Sequence, residues 1–150
     1  MKISLDKIKQ LRKETKAGVL EARQALQASK GDDKKAKRWL LEKGLVKASK
    51  KTDRATGEGL IEAYIHTDGK VGAIVKLACE TDFVAKTKEF RALAHEIAMQ
   101  VASMDPKDID QLLSQEYIRD KSKKVGDLIK EAIAKLGENI KIVEFNLLKI

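Results

Sequence analysis

Apolar positions along this chain fall into two regimes. Over the first third they recur three and four residues apart, the period of an amphipathic helix. Ser4 stands ahead of Leu5, Ile8 and Leu11, which share one helical face, and its hydroxyl predicts an N-cap. Ala17-Gly18 breaks the pattern, and Val19, Ala22, Ala25 and Leu26 resume it as far as Gly31, a natural stop. Asp33 is placed to cap a third helix with Ala36, Trp39 and Leu40 inward, ended by Gly44. Three helices within about 45 residues predict a small bundle near the lower size limit for independent stability. Trp39 is expected as its largest core residue.

The stretch LVKASKKTDRATGEG follows. It is charged, holds two glycines and has no sustained period, so it reads as a linker and solvated hinge. From Leu60 the pattern becomes that of strands. LIEAYIH and VGAIVKLAC are β-rich runs on either side of Asp68-Gly69, a two-residue hairpin signal. That turn sets Tyr64 opposite Ala73 and His66 opposite Val71. One face of the hairpin then carries Leu60, Tyr64, Val71, Val75 and Leu77, the other Ile61, Ile65 and Ile74, and both call for cover.

Phe90, Leu93, Ala94, Ile97, Ala98 and Val101 lie on one face of a helix that Asp105-Pro106 ends. A second core helix carries Val125, Leu128, Ile129, Ala132, Ile133 and Leu136 and stops at Gly137. NIKIVEFNLLKI predicts a third strand, and 106–124 a short helix with a charged connection. The fold class is therefore α+β. A three-helix domain occupies 1–46 and a linker 47–59. A core domain at 60–150 is built on a three-stranded antiparallel sheet with packed helices.

Composition narrows the function. With 150 residues, 43% of them hydrophobic, the chain has enough apolar material for one ordinary domain or two small ones. A single cysteine forms no intrachain disulfide and leans toward a reducing compartment. No apolar run approaches ~18 residues, and MKISLDKIKQLRK has no apolar signal-peptide centre. A cytoplasmic protein without membrane contact is expected. The net charge of +8 is unevenly spread: residues 1–53 carry 16 Lys+Arg against 7 Asp+Glu, the remainder 15 against 16. That basic third raises a nucleic-acid or ribosome-binding module as the alternative function. Against it, aromatics are not interleaved with the cations and no nucleic-acid motif is present, so no specific nucleic acid is expected.

Familiar chemistries find little support. Two histidines and one cysteine, widely spaced, give no metal-ligand pattern, and neither a metal nor a cofactor is expected. Cys79 has no visible third group to orient a pairing with His66 or His95, so it reads as a small strand-end hydrophobe. GxxxxGKS/T is absent, so the chain is not expected to bind a nucleotide itself, and Gly57 and Gly59 read as linker punctuation. CETDFVAK, Cys79 to Lys86, is the stretch that remains. Thr81 is placed to cap the helix that follows, and Asp82 in its first turn meets the positive end of the dipole. Each residue of TDFV has a structural explanation taken singly, yet a cap needs only the acid and a core only the ring.

LRKETKAGVLEARQAL, CETDFVAK and AIAKLGENIKI occur here in the order found in one family. From about Ile3 to Phe145 the chain resembles bacterial elongation factor Ts, the nucleotide-exchange factors for elongation factor Tu. The resemblance implies a ubiquitin-associated-like three-helix domain, then a linker and an α+β core. It further implies that the TDFV residues Thr81, Asp82, Phe83 and Val84 press on the nucleotide domain of elongation factor Tu. There the ring of Phe83 wedges between helices and disturbs the magnesium site holding GDP, with no bond chemistry by the factor itself. Arg12, Val19 and Leu20 match the positions that dock the N-terminal domain.

Two departures stand out. Where the family commonly reads T-G-A-G-M-M, this chain reads TKAGVL, so Lys16 replaces a glycine, and Val19 and Leu20 replace two methionines. Leu20 keeps an apolar contact, whereas Val19 is stiffer than a thioether. The chain is also short: only 106–124 stand where many members carry a second core subdomain or a helical insertion. Shortness and the second apolar sheet face together predict a homodimer through sheet-to-sheet pairing. AIAKLGENI itself reads as structural, with Gly137 as the helix stop.

Overall fold

The computed structural model describes residues 3–150. Along the chain run α1 (Leu5–Thr15), α2 (Val19–Ala28), α3 (Asp33–Ser49), β1 (Glu58–Ile65), β2 (Val71–Cys79) and α4 (Asp82–Ala85). After them come α5 (Lys88–Met104), α6 (Ile109–Ser114), β3 (Glu116–Tyr117), β4 (Asp120–Lys124), α7 (Val125–Leu136) and β5 (Lys141–Lys149). The fold is α+β, with seven helices and a three-stranded antiparallel sheet among the described residues.

Ser4 accepts the Lys7 amide at 3.3 Å and so opens α1, as its position predicts. Helices α1 to α3 close on a small interior of Ile8, Leu11, Ala22, Ala25, Leu26 and Ala36. The interior is too narrow for every residue of the apolar period, and Leu5 and Val19 face solvent instead. Trp39 is not the central core residue expected of it. It lies half-buried at the edge, with Lys43 Nζ 4.4 Å above its ring centroid in a cation–π contact.

Asp32, not Asp33, caps α3, accepting the Lys35 amide at 3.0 Å. The expected stop at Gly44 does not occur: α3 runs on to Ser49, and the connection to β1 narrows to 50–57. A glycine inside a helix costs about 1 kcal/mol relative to alanine, and here it permits a close helix crossing. A Cβ at Gly44 would stand 2.9 Å from the Ala134 Cβ of α7. One turn further on, Ala48 is buried in the same apolar cluster as the sheet.

In the core, the strand order is β1-β2-β5. Tyr64 pairs with Ala73, the register that Asp68-Gly69 predicts, and Gly69 takes φ 70° at the turn. Between β2 and β5 the register steps from Lys76↔Glu144 to Leu77↔Ile142, leaving Val143 as a bulge. Val75, Leu77 and Ile142 point inward against Phe90, Ala94, Ile97 and Val101 of α5 and Ile129 and Ile133 of α7. On the opposite face Ile61, Ile65, Ile74 and Leu148 are exposed.

The segment 106–124 holds the short helix expected of it, α6, and in addition the β3–β4 hairpin. Its sequence shows no apolar alternation because its fastening is polar. The buried Gln100 side chain donates to Glu116 O and accepts from the Ile118 amide, both at 3.0 Å.

Candidate functional site

Strand β2 ends at Cys79, whose buried thiol donates to Thr81 O at 3.1 Å. Burial first, and the nearby Glu138 charge second, push this thiol above its ordinary pKa, which makes it a poor nucleophile. Thr81 then caps α4, its hydroxyl accepting the Val84 amide at 3.4 Å. Thr87 closes the same turn from the other side, donating to Val84 O at 2.7 Å while capping α5 at the Phe90 amide.

Between these caps α4 has a single turn, and that turn sorts its side chains. Val84 and Ala85 pack toward the core, and Asp82 and Phe83 project from it. Of the three phenylalanines, Phe90 is fully buried and Phe145 half-buried, whereas Phe83 is 80% exposed. The ring beside the acid is therefore neither cap nor core. Asp82 accepts from Lys86 Nζ at 2.9 Å, and this bond, with the lysine's charge, holds the carboxyl below the usual aspartate range.

Two residues beyond α7 hold the motif from behind. Glu138 accepts from the Thr81 amide at 3.1 Å and from the Thr81 hydroxyl at 2.9 and 3.0 Å. Glu80 reciprocates, accepting the Asn139 amide at 2.7 Å. The Asn139 side chain, 1% exposed, donates to Thr52 O at 3.2 Å and to Arg54 O at 2.7 Å. Neither Glu138 nor Asn139 was expected to serve the motif, because no local pattern links them to residues 57 and 59 positions away. The Asp82–Lys86 pair had a legible signal in its i, i+4 spacing.

The N-terminal candidates cluster around a different turn. Arg12 Nε donates to Ala17 O at 3.2 Å, and the Lys16 amide donates back to Arg12 O at 2.8 Å. Val19 and Leu20 follow in the first turn of α2, 54% and 67% exposed. Three of the four cations between Lys47 and Arg54 have partners within the chain, although Lys47 and Arg54 stay exposed. Lys47 pairs with Glu21, Lys51 Nζ donates to Gly137 O at 2.9 Å, and Arg54 lies 3.6 Å from Glu80. A phosphate would have to compete with each of these. His66 and His95 are taken up with Tyr64 and Glu62: His66 Nδ1 is 3.1 Å from the Tyr64 hydroxyl, and His95 Nδ1 is 3.7 Å from the Glu62 carboxylate.

Residues 80–150, which include the whole TDFV turn and the Glu138–Asn139 pair, match the family model described as Elongation factor TS. The Elongation factor Ts of Coprothermobacter proteolyticus is 42% identical over 190 aligned positions, covering 97% of this chain and 96% of that protein. The chain belongs to the elongation factor Ts family. Elongation factor Ts of Thermotoga neapolitana is 40% identical, covering 97% of this chain and 95% of its own, and that of Oleidesulfovibrio alaskensis 39%, covering 92% of each. As a member of this family, the chain acts in translation elongation as a nucleotide-exchange factor rather than an enzyme. Family membership implies elongation factor Tu as the partner. These alignments are longer than the chain, so the related elongation factors Ts carry residues opposite gaps here. No helix among the described residues is long and apolar enough to cross a membrane.

Proposed function

We propose that this chain accelerates GDP release from elongation factor Tu by pressing Phe83 and Asp82 against the partner's nucleotide domain, near the magnesium site. The observation that carries the reading is the exposure of Phe83, 80% open on a turn capped from both sides. Thr81 and Val84 serve as the mount, and Asp82 and Phe83 as the contact. A factor of this kind speeds exchange by binding the nucleotide-free partner better than the GDP-bound one. The coupling is reciprocal, so GDP weakens the factor's grip as much as the factor weakens GDP's.

Magnitudes argue for a second point of attachment. A ten-thousandfold acceleration requires about 5.5 kcal/mol, and burying one phenylalanine contributes about 1.5–3 kcal/mol. The wedge must therefore be driven by other contacts. We assign that role to α1–α3, acting as a ubiquitin-associated-like domain that docks through Arg12, Val19 and Leu20 and raises the local concentration of Phe83. The exposed Ile61, Ile65, Ile74 and Leu148 support a homodimer through the outer sheet face. The work is done in the cytoplasm, where translation runs.

Loss of fluorescent GDP from elongation factor Tu tests the reading. Phe83→Ala and Asp82→Ala, both folded, should each slow release at saturating factor. If both match the parent, the assigned roles are wrong. Steeply salt-dependent RNA binding without elongation factor Tu would favour the nucleic-acid alternative.

A further inference from the structure

Phe83 stands on one helical turn, and a single turn does not hold itself in water. Its rigidity has to be supplied from elsewhere in the fold. The Thr87 cap and the packing of Val84 and Ala85 supply part of it, and Glu138 the rest: one carboxylate receives both the amide and the hydroxyl of Thr81, while the Thr81 oxygen receives the Val84 amide. These are charge-assisted bonds, stronger than neutral ones, and they fix the residue that begins the turn. Glu80 and Asn139 form the reverse bond beside it, so two segments far apart in sequence are clasped twice.

The same loop also reaches the connection that leads from the N-terminal helices. Gly137 O accepts from Lys51 Nζ, and the Asn139 side-chain NH2 donates to Thr52 O and Arg54 O, all three on the connection that follows α3. Residues 137–139 thus touch the mount of Phe83 on one side and the chain leading from the docking helices on the other.

We propose that Glu138 and Asn139 are positioning residues for nucleotide exchange, Glu138 holding the Phe83 turn and Asn139 holding the connection that sets its spacing from the docking helices. This rests on the function proposed above. Neither residue needs to touch the partner. Because misplacing a reacting contact by about 1 Å can cost up to about a hundredfold in rate, a loosened mount should show in the maximal rate rather than in binding.

The experiment is GDP release from elongation factor Tu, titrated with the full chain to saturation, for the parent and for Phe83→Ala, Glu138→Gln, Glu138→Ala and Asn139→Ala. Amide hydrogen exchange and thermal melting are followed alongside. Glu138→Ala should lower the maximal rate about tenfold with the half-saturating concentration unchanged, and Glu138→Gln, which keeps one acceptor, should fall between it and the parent. Thr81 and Val84 should lose amide protection in the same order. Asn139→Ala should instead raise the half-saturating concentration.

A slow Phe83→Ala beside parent-like rates in both Glu138 variants would overturn the inference alone. So would a lowered melting temperature in those variants without any change in maximal rate, since that is a purely structural role. A parent-like Phe83→Ala would overturn the functional reading first, and the inference with it.

Discussion

Asp82 and Lys86 are joined across one helical turn, carboxylate to ammonium, at 2.9 Å. The lysine's hydrogen bond, and then its charge, hold the Asp82 carboxyl below the ordinary aspartate range, and the lysine is raised in return. A folded pKa below the unfolded one means the pair's contribution is present above the unfolded value. It is lost as pH falls through the depressed folded value. Asp82 should therefore stay ionised to a lower pH than an ordinary aspartate. In Lys86→Met its titration, followed by carboxyl-carbon NMR, should return to the usual range. An unmoved titration would mean the bond does not persist in solution.

Lys16 closes α1 in the left-handed region, at φ 58°. That conformation costs an L-residue about 1–2 kcal/mol, of which glycine's greater unfolded freedom offsets about 0.5–1 kcal/mol. Lys16→Gly should stabilise the chain by about 0.5–1 kcal/mol. For a chain of this size that is a rise of about 2–4 °C in Tm per kcal/mol, measurable by thermal melting. No rise would show that the lysine side chain contributes something that offsets its backbone.

Gly44 invites the opposite experiment. Alanine is the better helix former by about 1 kcal/mol, yet its Cβ would sit 2.9 Å from that of Ala134, in a crossing with no flexible side chain to yield. Overpacking of this kind costs about 1–3 kcal/mol, so Gly44→Ala should lower Tm despite its propensity. Adding Ala134→Gly should recover most of the loss, and a double-mutant cycle would expose the coupling. Additive losses would show that the two helices do not meet here.

Much of this fold was legible because it is local. The Tyr64–Ala73 register follows from Asp68-Gly69, the buried faces of α5 and α7 follow from their periods, and Thr81 announces its cap. The failures share a cause, which is tertiary contact overriding a local signal. Gly44 reads as a stop until Ala134 is brought against it, and Trp39 reads as core until the bundle proves to be filled by smaller residues. The β3–β4 hairpin owes its place to Gln100, which shows no pattern at all. At the site, Asp82 and Phe83 could be singled out from the sequence, but the direction of the ring and its support by Glu138 required the fold.

The outer face of the sheet carries the last prediction. Ile61, Ile65, Ile74 and Leu148 lie exposed on one surface, and Ile65 folds over Gly72 so closely that a Cβ there would meet its Cδ1 at 2.7 Å. An exposed apolar sheet face of this kind is covered most simply by a second copy of itself, related by a two-fold axis. Sedimentation at micromolar concentration should therefore find a dimer. Ile74→Lys, at the centre of β2, should convert it to monomer, because two ammonium groups would be brought together and desolvated. The monomer's own Tm should change little at high dilution, since Ile74 faces away from the inner core. A parent chain that sediments as monomer throughout would rule out the pairing and leave this face to some other contact.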